Sequence, residues 1–353
     1  MADNSKIEWT DATWNPVVGC SRVSAGCAHC YAERMAARLA RMGKLAHYRD
    51  VAYGGEWTGR IGIADDAVWE QPMRWKRPRV IFVCSMGDLF HSWIPSDAKS
   101  TSAFSAIDRV LMTAAAAPRH QFVLLTKRVG QAFMQLSPMR DVKTVAEGLG
   151  NLADRYYGEA CACQVGTRIC AEWPLRNVWI GATMENQAVV AQRIEPLLCI
   201  GDMGWRIWVS CEPLLGPVFG DGLYPDTSWS RFSGVVVGGE SGPGARPMHP
   251  EWARGIRDHC AQTGTPFFFK QWGEWLSGCF FTDTIHAHDS QNPELGSRFP
   301  CMDWDEDGKA FETGSSWMDD LSEHAVYHVG KRRAGRLLDG REHNDLPWRA
   351  QVS

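Results

Sequence analysis

Three cysteines stand within 11 residues of one another near the start of the chain, in the stretch Trp14-Asn-Pro-Val-Val-Gly-Cys20-Ser-Arg-Val-Ser-Ala-Gly-Cys27-Ala-His-Cys30-Tyr-Ala-Glu33. Its glycines, proline and serines mark it as a loop. Multidentate binding requires a loop, because neither a regular strand nor a helix can turn three thiolates onto one centre. The closing Cys-x2-Cys runs directly into a helix-like stretch, whose N-terminus favours thiolate charge. Three thiols without a local fourth define an incomplete site. Zinc in a structural site takes four protein ligands and would draw on His29. An iron–sulfur cluster held by three thiolates instead keeps one iron open to a small molecule. The remaining reading is three buried structural thiols.

Other reactive groups recur at the ends of short apolar runs. Arg79–Cys84 leads into Ser85-Met-Gly87-Asp88, and Gln121–Leu125 into Thr126-Lys127-Arg128. Asn177–Ala182 leads into Thr183-Met-Glu185-Asn186, and Arg206–Ser210 into Cys211-Glu212-Pro213. Ser233–Val237 leads into Gly238-Gly239-Glu240-Ser241-Gly-Pro-Gly244, and Thr265–Phe269 into Lys270-Gln-Trp-Gly273. The glycine-rich stretch at 238–244 offers backbone amides to a carboxylate, a phosphate or an adenine edge. It lacks the lysine of a nucleotide P-loop. Glu240 and Glu212 are candidate ligand or substrate contacts, and Glu212 reads equally as a turn cap. Lys127 and Arg128 could hold an anionic substrate or form a solvated pair. Asp88, Thr183 and Glu185 read equally as helix caps.

The elements that must position these groups follow from the same pattern. Near-continuous apolar runs suit strands buried on both faces of a parallel sheet. Helix-like stretches separate them: Tyr31–Gly43, Asp97–Ala117, Asn186–Ile200 and Pro250–Gly264, the last opening on proline and stopping at glycine. The alternation predicts an α/β protein with a partial or complete (β/α) TIM-like barrel, its chemistry gathered at the C-terminal rim of the strands. The barrel is expected over residues 1–275, with an insertion at about 139–176. Residues 276–353 read as a loop-rich C-terminal extension with a basic terminal segment. In the insertion, Cys161, Cys163 and Cys170 match no metal-ligand spacing and read as independent thiols. The acidic run Asp303-Trp-Asp-Glu-Asp-Gly308 has the wrong spacing for a calcium loop and reads as solvated. Lys331–Arg341 carries five bases and one acid. It reads as a solvated helix, a lid or a phosphate clamp.

Composition narrows the class. The chain has 353 residues, 44% hydrophobic and 22% charged, enough apolar material for a real core. No stretch approaches the roughly 18 uncharged apolar residues of a membrane span, and the start of the chain has no apolar signal core. The net charge of −4 excludes a globally basic nucleic-acid coat but not a local patch. Twelve cysteines without an export signal read as buried, catalytic or metal-bound thiols of a cytoplasmic protein (host cytoplasm if phage-encoded). The 17 tryptophans read as core and groove lining, or as a stacking surface.

The chain resembles the radical S-adenosylmethionine (SAM) superfamily, in particular its phage- and actinobacteria-associated branch. The resemblance rests on Ile7-Glu-Trp-Thr-Asp-x-Thr-Trp-Asn-Pro16, the three cysteines, Tyr31-Ala-Glu33, Gly181–Gln187, Val209-Ser-Cys-Glu-Pro213, Gly238-Gly-Glu-Ser-Gly242 and Gly335-Arg-Leu-Leu-Asp-Gly340. The superfamily's usual spacing is Cys-x3-Cys-x2-Cys after the first strand of a partial barrel; here the first gap is six residues. The resemblance implies a radical SAM type of barrel in which Cys20, Cys27 and Cys30 hold a 4Fe-4S cluster. The cluster's open iron would chelate the amino and carboxylate groups of SAM. Reductive cleavage would then release a 5′-deoxyadenosyl radical that abstracts hydrogen from substrate. It further implies contacts to SAM from Ser85, Gly87 and Asp88 after the second strand, and from Thr183 and Glu185 after the fourth. Gly238, Gly239, Glu240 and Ser241 join these as candidate cofactor contacts. A reductase or flavodoxin-type electron donor is the implied partner. The implied substrate is a modified nucleobase, for example an amino-acid-modified pyrimidine of phage DNA undergoing rearrangement. No membrane partner is expected.

Two other classes fit parts of the sequence. One is a zinc-stabilised nucleic-acid-binding protein without catalysis. The other is a barrel enzyme using a cysteine nucleophile, with Cys211 beside Glu212.

Overall fold

The computed structural model describes residues 5, 7–91, 105–219, 226–277, 300–305, 309–313 and 324–349. Seven strands form one sheet: β1 (Ala12–Trp14), β2 (Val80–Val83), β3 (Gln121–Thr126), β4 (Val178–Thr183), β5 (Arg206–Cys211), β6 (Val235–Gly238) and β7 (Phe267–Gln271). They lie side by side in sequence order and every neighbouring pair is parallel. The sheet curls into a half barrel with β1 and β7 at its edges. All six apolar runs seat a strand. The seventh, β1, has only three residues and precedes the cysteine loop.

Alternation along the strands sorts the core into two layers. Ile81, Val83, Phe122, Leu124, Ile180, Ile207 and Val235 face outward into the helix layer. Val80, Phe82, Val123, Trp179, Trp208, Val236 and Phe268 face the concave side, where Trp9, Leu346 and Trp348 complete their packing. The rings of Trp208 and Trp348 lie 5.0 Å apart, and the Trp348 indole donates to the Trp9 carbonyl at 3.1 Å. Both ends of the described chain therefore plug the floor of the half barrel. Gly181 makes room for this, since a Cβ there would overlap the Trp208 ring.

The outer layer comprises α1 (Tyr31–Met42), α2 (Ala106–Ala116), α3 (Val129–Leu136), α4 (Val142–Tyr157), α5 (Glu159–Ala171), α6 (Gln187–Asp202) and α7 (Pro250–Thr263). Their ends follow local chemistry. Gly43 and Gly264 close α1 and α7 in the left-handed conformation, and the Asn186 side chain caps α6. A reciprocal Ser105–Asp108 capping box opens α2; the earlier part of the expected helix, 97–104, lies outside the described residues. The expected insertion is a helical hairpin, α4 and α5, packed against α2. Cys161, Cys163 and Cys170 all lie on α5, and two of them are exposed. Cys161 and Cys163, two apart on the helix, face different ways, and Cys163 and Cys170 share a face but stand about two turns, ~10 Å, apart along the axis.

The C-terminal extension departs from the expected loop. Strands β8 (Trp275–Ser277), β9 (Cys301–Trp304), β10 (Ala310–Thr313) and β11 (Val326–His328) form an antiparallel sheet in the order β8-β11-β9-β10. Asp303 of the acidic run is buried within β9, and residues 306–308 lie outside the described set. A strand covered on one side only needs apolar groups at every second position, so its polar alternate residues made it read as a loop. The basic tail packs back along the sheet edge while most of its bases stay exposed. After a short turn at Lys331–Ala334 it runs along β7, where the Phe269 amide donates to the His343 carbonyl at 3.0 Å. Its Asp339 pairs with Arg254 and Arg257 of α7. Among the described residues, no helix is long and apolar enough to cross a membrane.

Candidate functional site

The concave side of the half barrel opens into a cavity of about 1290 Å³, its open mouth included. Trp9, Phe82 and Leu125 give it an apolar floor. Its upper wall carries Cys20, Cys27 and Cys30 from the loop between β1 and α1, together with residues from the C-terminal ends of β2 to β7. Ser85, Gly87, Asp88, Thr183, Gly239, Glu240 and Ser241 line it, as the sequence reading grouped them; Glu185 and Gly238 are not among the lining residues.

Three of the strand-end carboxylates, Asp88, Glu185 and Glu240, clamp the cysteine loop directly or through an arginine. Asp88 accepts from Thr126 Oγ1 (2.7 Å), the Phe90 and Lys127 amides (3.0 and 3.3 Å) and Arg128 Nη1 (3.0 Å). Arg128 in turn donates from Nη1 to Cys20 Sγ at 3.3 Å and from Nη2 to the Ser21 carbonyl and hydroxyl at 2.8 and 2.7 Å. Glu185, fully buried, accepts from Ser24 Oγ at 2.7 Å, from Lys127 Nζ, and from Arg193 Nη1 at 3.2 Å. Glu240 takes the Arg246 side chain at both oxygens, at 2.8 and 2.6 Å, and Arg246 donates onward to the Ala25 carbonyl at 3.0 Å. The donors of Asp88 and Glu240 occupy both oxygens of each carboxylate, and burial makes that satisfaction obligatory.

Glycines bring backbone to backbone around the same loop. Gly87 pairs with Gly19, and a Cβ on it would stand 2.9 Å from the Gly19 carbonyl. A Cβ on Gly26 would overlap Glu185 Oε1. On the far wall, the absence of a side chain at Gly238 leaves Glu212 and Lys270 free to meet across β6, Nζ to Oε1 at 2.8 Å. Ser210 Oγ also donates to Glu212, at 3.1 Å.

The three sulfurs meet different surroundings. Burial pushes the free Cys20 thiol up to about 11, with Asp88 adding to the rise and Arg128 opposing it. Burial also raises Cys30, partly offset by the amides of Glu33 and Ala32 at the start of α1. Cys27 lies 3.8 Å from Ser24 Oγ. His29 lines the cavity against Gly244. Among the described residues, no group of three or more His, Cys, Asp or Glu side chains converges as a single metal ion would require.

Sequence reasoning placed Lys270 at a strand end without giving it a role, and missed its pairing with Glu212 and the bracing roles of Arg128 and Arg246. Those two contact the loop across 107 or more residues of sequence, and no local spacing encodes that.

Fold and site together define an α/β half-barrel protein with a thiol-lined cavity at the C-terminal ends of its strands. The chain belongs to the DUF5131 family, described as a protein of unknown function, which it matches over residues 4–347. No curated protein and no solved structure matches it.

Proposed function

We propose that the protein is a radical SAM enzyme whose 4Fe-4S cluster is held by Cys20, Cys27 and Cys30. The observation that carries this reading is the arrival of all three cysteines, from one loop after the first strand, on the wall of a single cavity inside a parallel half barrel. The donor set fits the group: three soft thiolates suit iron–sulfur ligation and leave one coordination position free.

When bound, the cluster supplies the electron that cleaves SAM reductively to a 5′-deoxyadenosyl radical. The chain's own residues position and protect. Asp88, Glu185 and Glu240 hold the cysteine loop through Arg128, Ser24 and Arg246 rather than contacting SAM themselves. Ser85, Gly87, Gly239 and Ser241 line the cavity and offer backbone and hydroxyl groups to the amino and carboxylate ends of SAM. The Thr183 hydroxyl serves the ribose. Trp9, Phe82 and Leu125 exclude water from the floor. Glu212 and Lys270 present an acceptor and a donor to the substrate.

The substrate class carried by this reading is a modified nucleobase, such as an amino-acid-modified pyrimidine in DNA, undergoing rearrangement. A base in a duplex must leave the stack to enter the cavity. A reductase or flavodoxin-type protein delivers the electron, and a cytoplasmic location keeps the thiols reduced.

The test is anaerobic purification with iron and sulfide counts, followed by dithionite and SAM. Brown protein with about four irons per chain that releases 5′-deoxyadenosine is expected, with both properties lost in Cys27→Ala. A colourless, zinc-containing protein yielding no deoxyadenosine overturns the reading. Absence of any salt-dependent affinity for DNA or RNA removes the nucleic-acid substrate alone.

A further inference from the structure

Several cations surround the cysteine loop, and most are committed to oxygen. Arg22 pairs with Glu33 at 2.8 Å. Lys127 and Arg193 share Glu185, and Arg246 spans Glu240 and the Ala25 carbonyl. Arg128 is placed differently. Its Nη1 lies between Asp88 Oδ2 at 3.0 Å and Cys20 Sγ at 3.3 Å. Its Nη2 is fixed on the carbonyl and hydroxyl of Ser21, the residue next to that cysteine. Both side chains of the Arg128–Asp88 pair are more than nine-tenths buried, at 6% and 7% exposure. A guanidinium with four partners in a buried site cannot swing away, so its positive charge and one N–H stay on a single sulfur.

We propose that Arg128 is a positioning residue that sets how readily the centre held by Cys20, Cys27 and Cys30 accepts an electron. The inference rests on the cluster reading above and adds a role for one residue. Electron uptake increases negative charge on the ligating sulfurs. A fixed cation and hydrogen-bond donor at one of them stabilises the reduced state more than the oxidised state, and hydrogen bonds to cluster sulfurs raise reduction potentials. The electron comes from a one-electron reductant, dithionite in the test, which is itself oxidised; no proton or group is transferred. Asp88 opposes the effect. Its carboxylate touches the guanidinium rather than the sulfur, so the nearer charge prevails. Burial keeps both charges from being screened by salt.

This arrangement predicts opposite shifts from two neighbouring substitutions. Arg128→Met removes the cation and should lower the midpoint potential. Asp88→Asn is isosteric and keeps one acceptor oxygen for Arg128, but turns its amide NH2 toward the Thr126 hydroxyl and Phe90 amide; it removes the opposing charge and should raise the midpoint. Arg128→Lys, which keeps the charge, should fall between wild type and Arg128→Met. The expected loss in Arg128→Met is on the order of tenfold in the equilibrium constant for electron uptake, about 59 mV for one electron.

The experiment is an anaerobic redox titration of the reconstituted full-length protein, followed by electron paramagnetic resonance of the reduced cluster, with iron counted in each variant. Opposite shifts at equal iron content support the proposal. Unchanged midpoints, or shifts of the same sign in Arg128→Met and Asp88→Asn, overturn it and leave the cluster reading intact. Loss of iron from Arg128→Met and Arg128→Lys alike also overturns it, because Arg128 then retains the cluster rather than tuning it. Wild-type protein that holds no iron overturns the cluster reading itself, and this inference with it.

Discussion

Ser24 Oγ donates to Glu185 Oε1 at 2.7 Å, joining residues 161 positions apart. One is in the cysteine loop, two residues before Gly26-Cys27; the other follows β4 in the wall of the half barrel. The contact converts a flexible Gly/Ser-rich segment into a fixed part of the barrel. Similar ties run from Asp88 through Arg128 and from Glu240 through Arg246. Strands β2, β4 and β6 thus each send one carboxylate to the same loop. The position of three thiols is set by the barrel rather than by the loop's own preferences.

Glu185 makes that support sensitive to acid. Burial pushes its carboxyl up, but Lys127 and Arg193 outweigh burial and hold it below the ordinary carboxylate range. A carboxyl depressed in the folded state contributes stability above its unfolded value, about 4.3, and loses it as pH falls through the folded value. Glu185→Gln should therefore cost stability at neutral pH, about 3–5 kcal/mol as for a broken buried pair. The gap to wild type should narrow below about pH 4. Urea unfolding of both proteins across pH 3–7 measures this; a gap that does not change with pH would refute it.

Gly26 is the loop's tightest contact with the barrel. A Cβ there would overlap Glu185 Oε1 and stand 2.7 Å from its Cδ and Cγ. Glu185 cannot yield without leaving Lys127 and Arg193. Gly26→Ala should displace the loop and lower iron loading after reconstitution, while overpacking costs about 1–3 kcal/mol. Circular dichroism and iron content, measured together, check it. Full iron loading with wild-type stability would show that the loop relaxes freely.

Much of the barrel was legible because its strands are buried on both faces, which leaves continuous apolar runs such as Val235-Val-Val237. The cysteine spacing, the stop at Gly43 and the start at Pro250 were legible as local chemistry. β1 was hidden because Ala-Thr-Trp makes no run. The strand-end carboxylates were legible as residues of the rim, but their partners were not. Arg128 and Arg246 reach the cysteine loop from 108 and 221 residues away, and no local spacing marks that reach. The packing of the tail was equally hidden: Leu338, Leu346 and Trp348 are buried against the protein, while Lys331, Arg332, Arg333 and Arg341 stay exposed.

Trp348 carries the clearest consequence of that burial. It is wholly buried and packs on Trp9, Trp179 and Trp208 at centroid distances of 6.0, 5.7 and 5.0 Å. Truncating an aromatic in such a place costs about 3–5 kcal/mol. Trp348→Ala should lower stability by that amount and loosen the cavity floor through Trp9. Denaturant titration, with tryptophan fluorescence as readout, checks it. A loss under about 1 kcal/mol would mean that the tail is peripheral, as ordinary surface substitutions are.

Glu212 and Lys270 offer the last test, since they place the cavity's far wall under charge control. Burial pushes the Lys270 amine down, but Glu212 at 2.8 Å outweighs it and holds the amine above its ordinary value. A lysine raised in the folded state contributes stability fully below its unfolded value, about 10.4, and loses it as pH rises through the folded one. Wild-type protein should thus resist acylation at Lys270 at pH 8–9, because the amine stays protonated and paired. Glu212→Gln removes the partner and leaves burial to act alone. The amine should then lose its proton more readily and react faster. The stability cost should be about 2 kcal/mol, below that of a wholly buried pair, because 21% of the Lys270 side chain remains exposed. Peptide mass spectrometry after brief acylation measures the reactivity directly. Equal labelling of Lys270 in both proteins would show that Glu212 does not govern its charge.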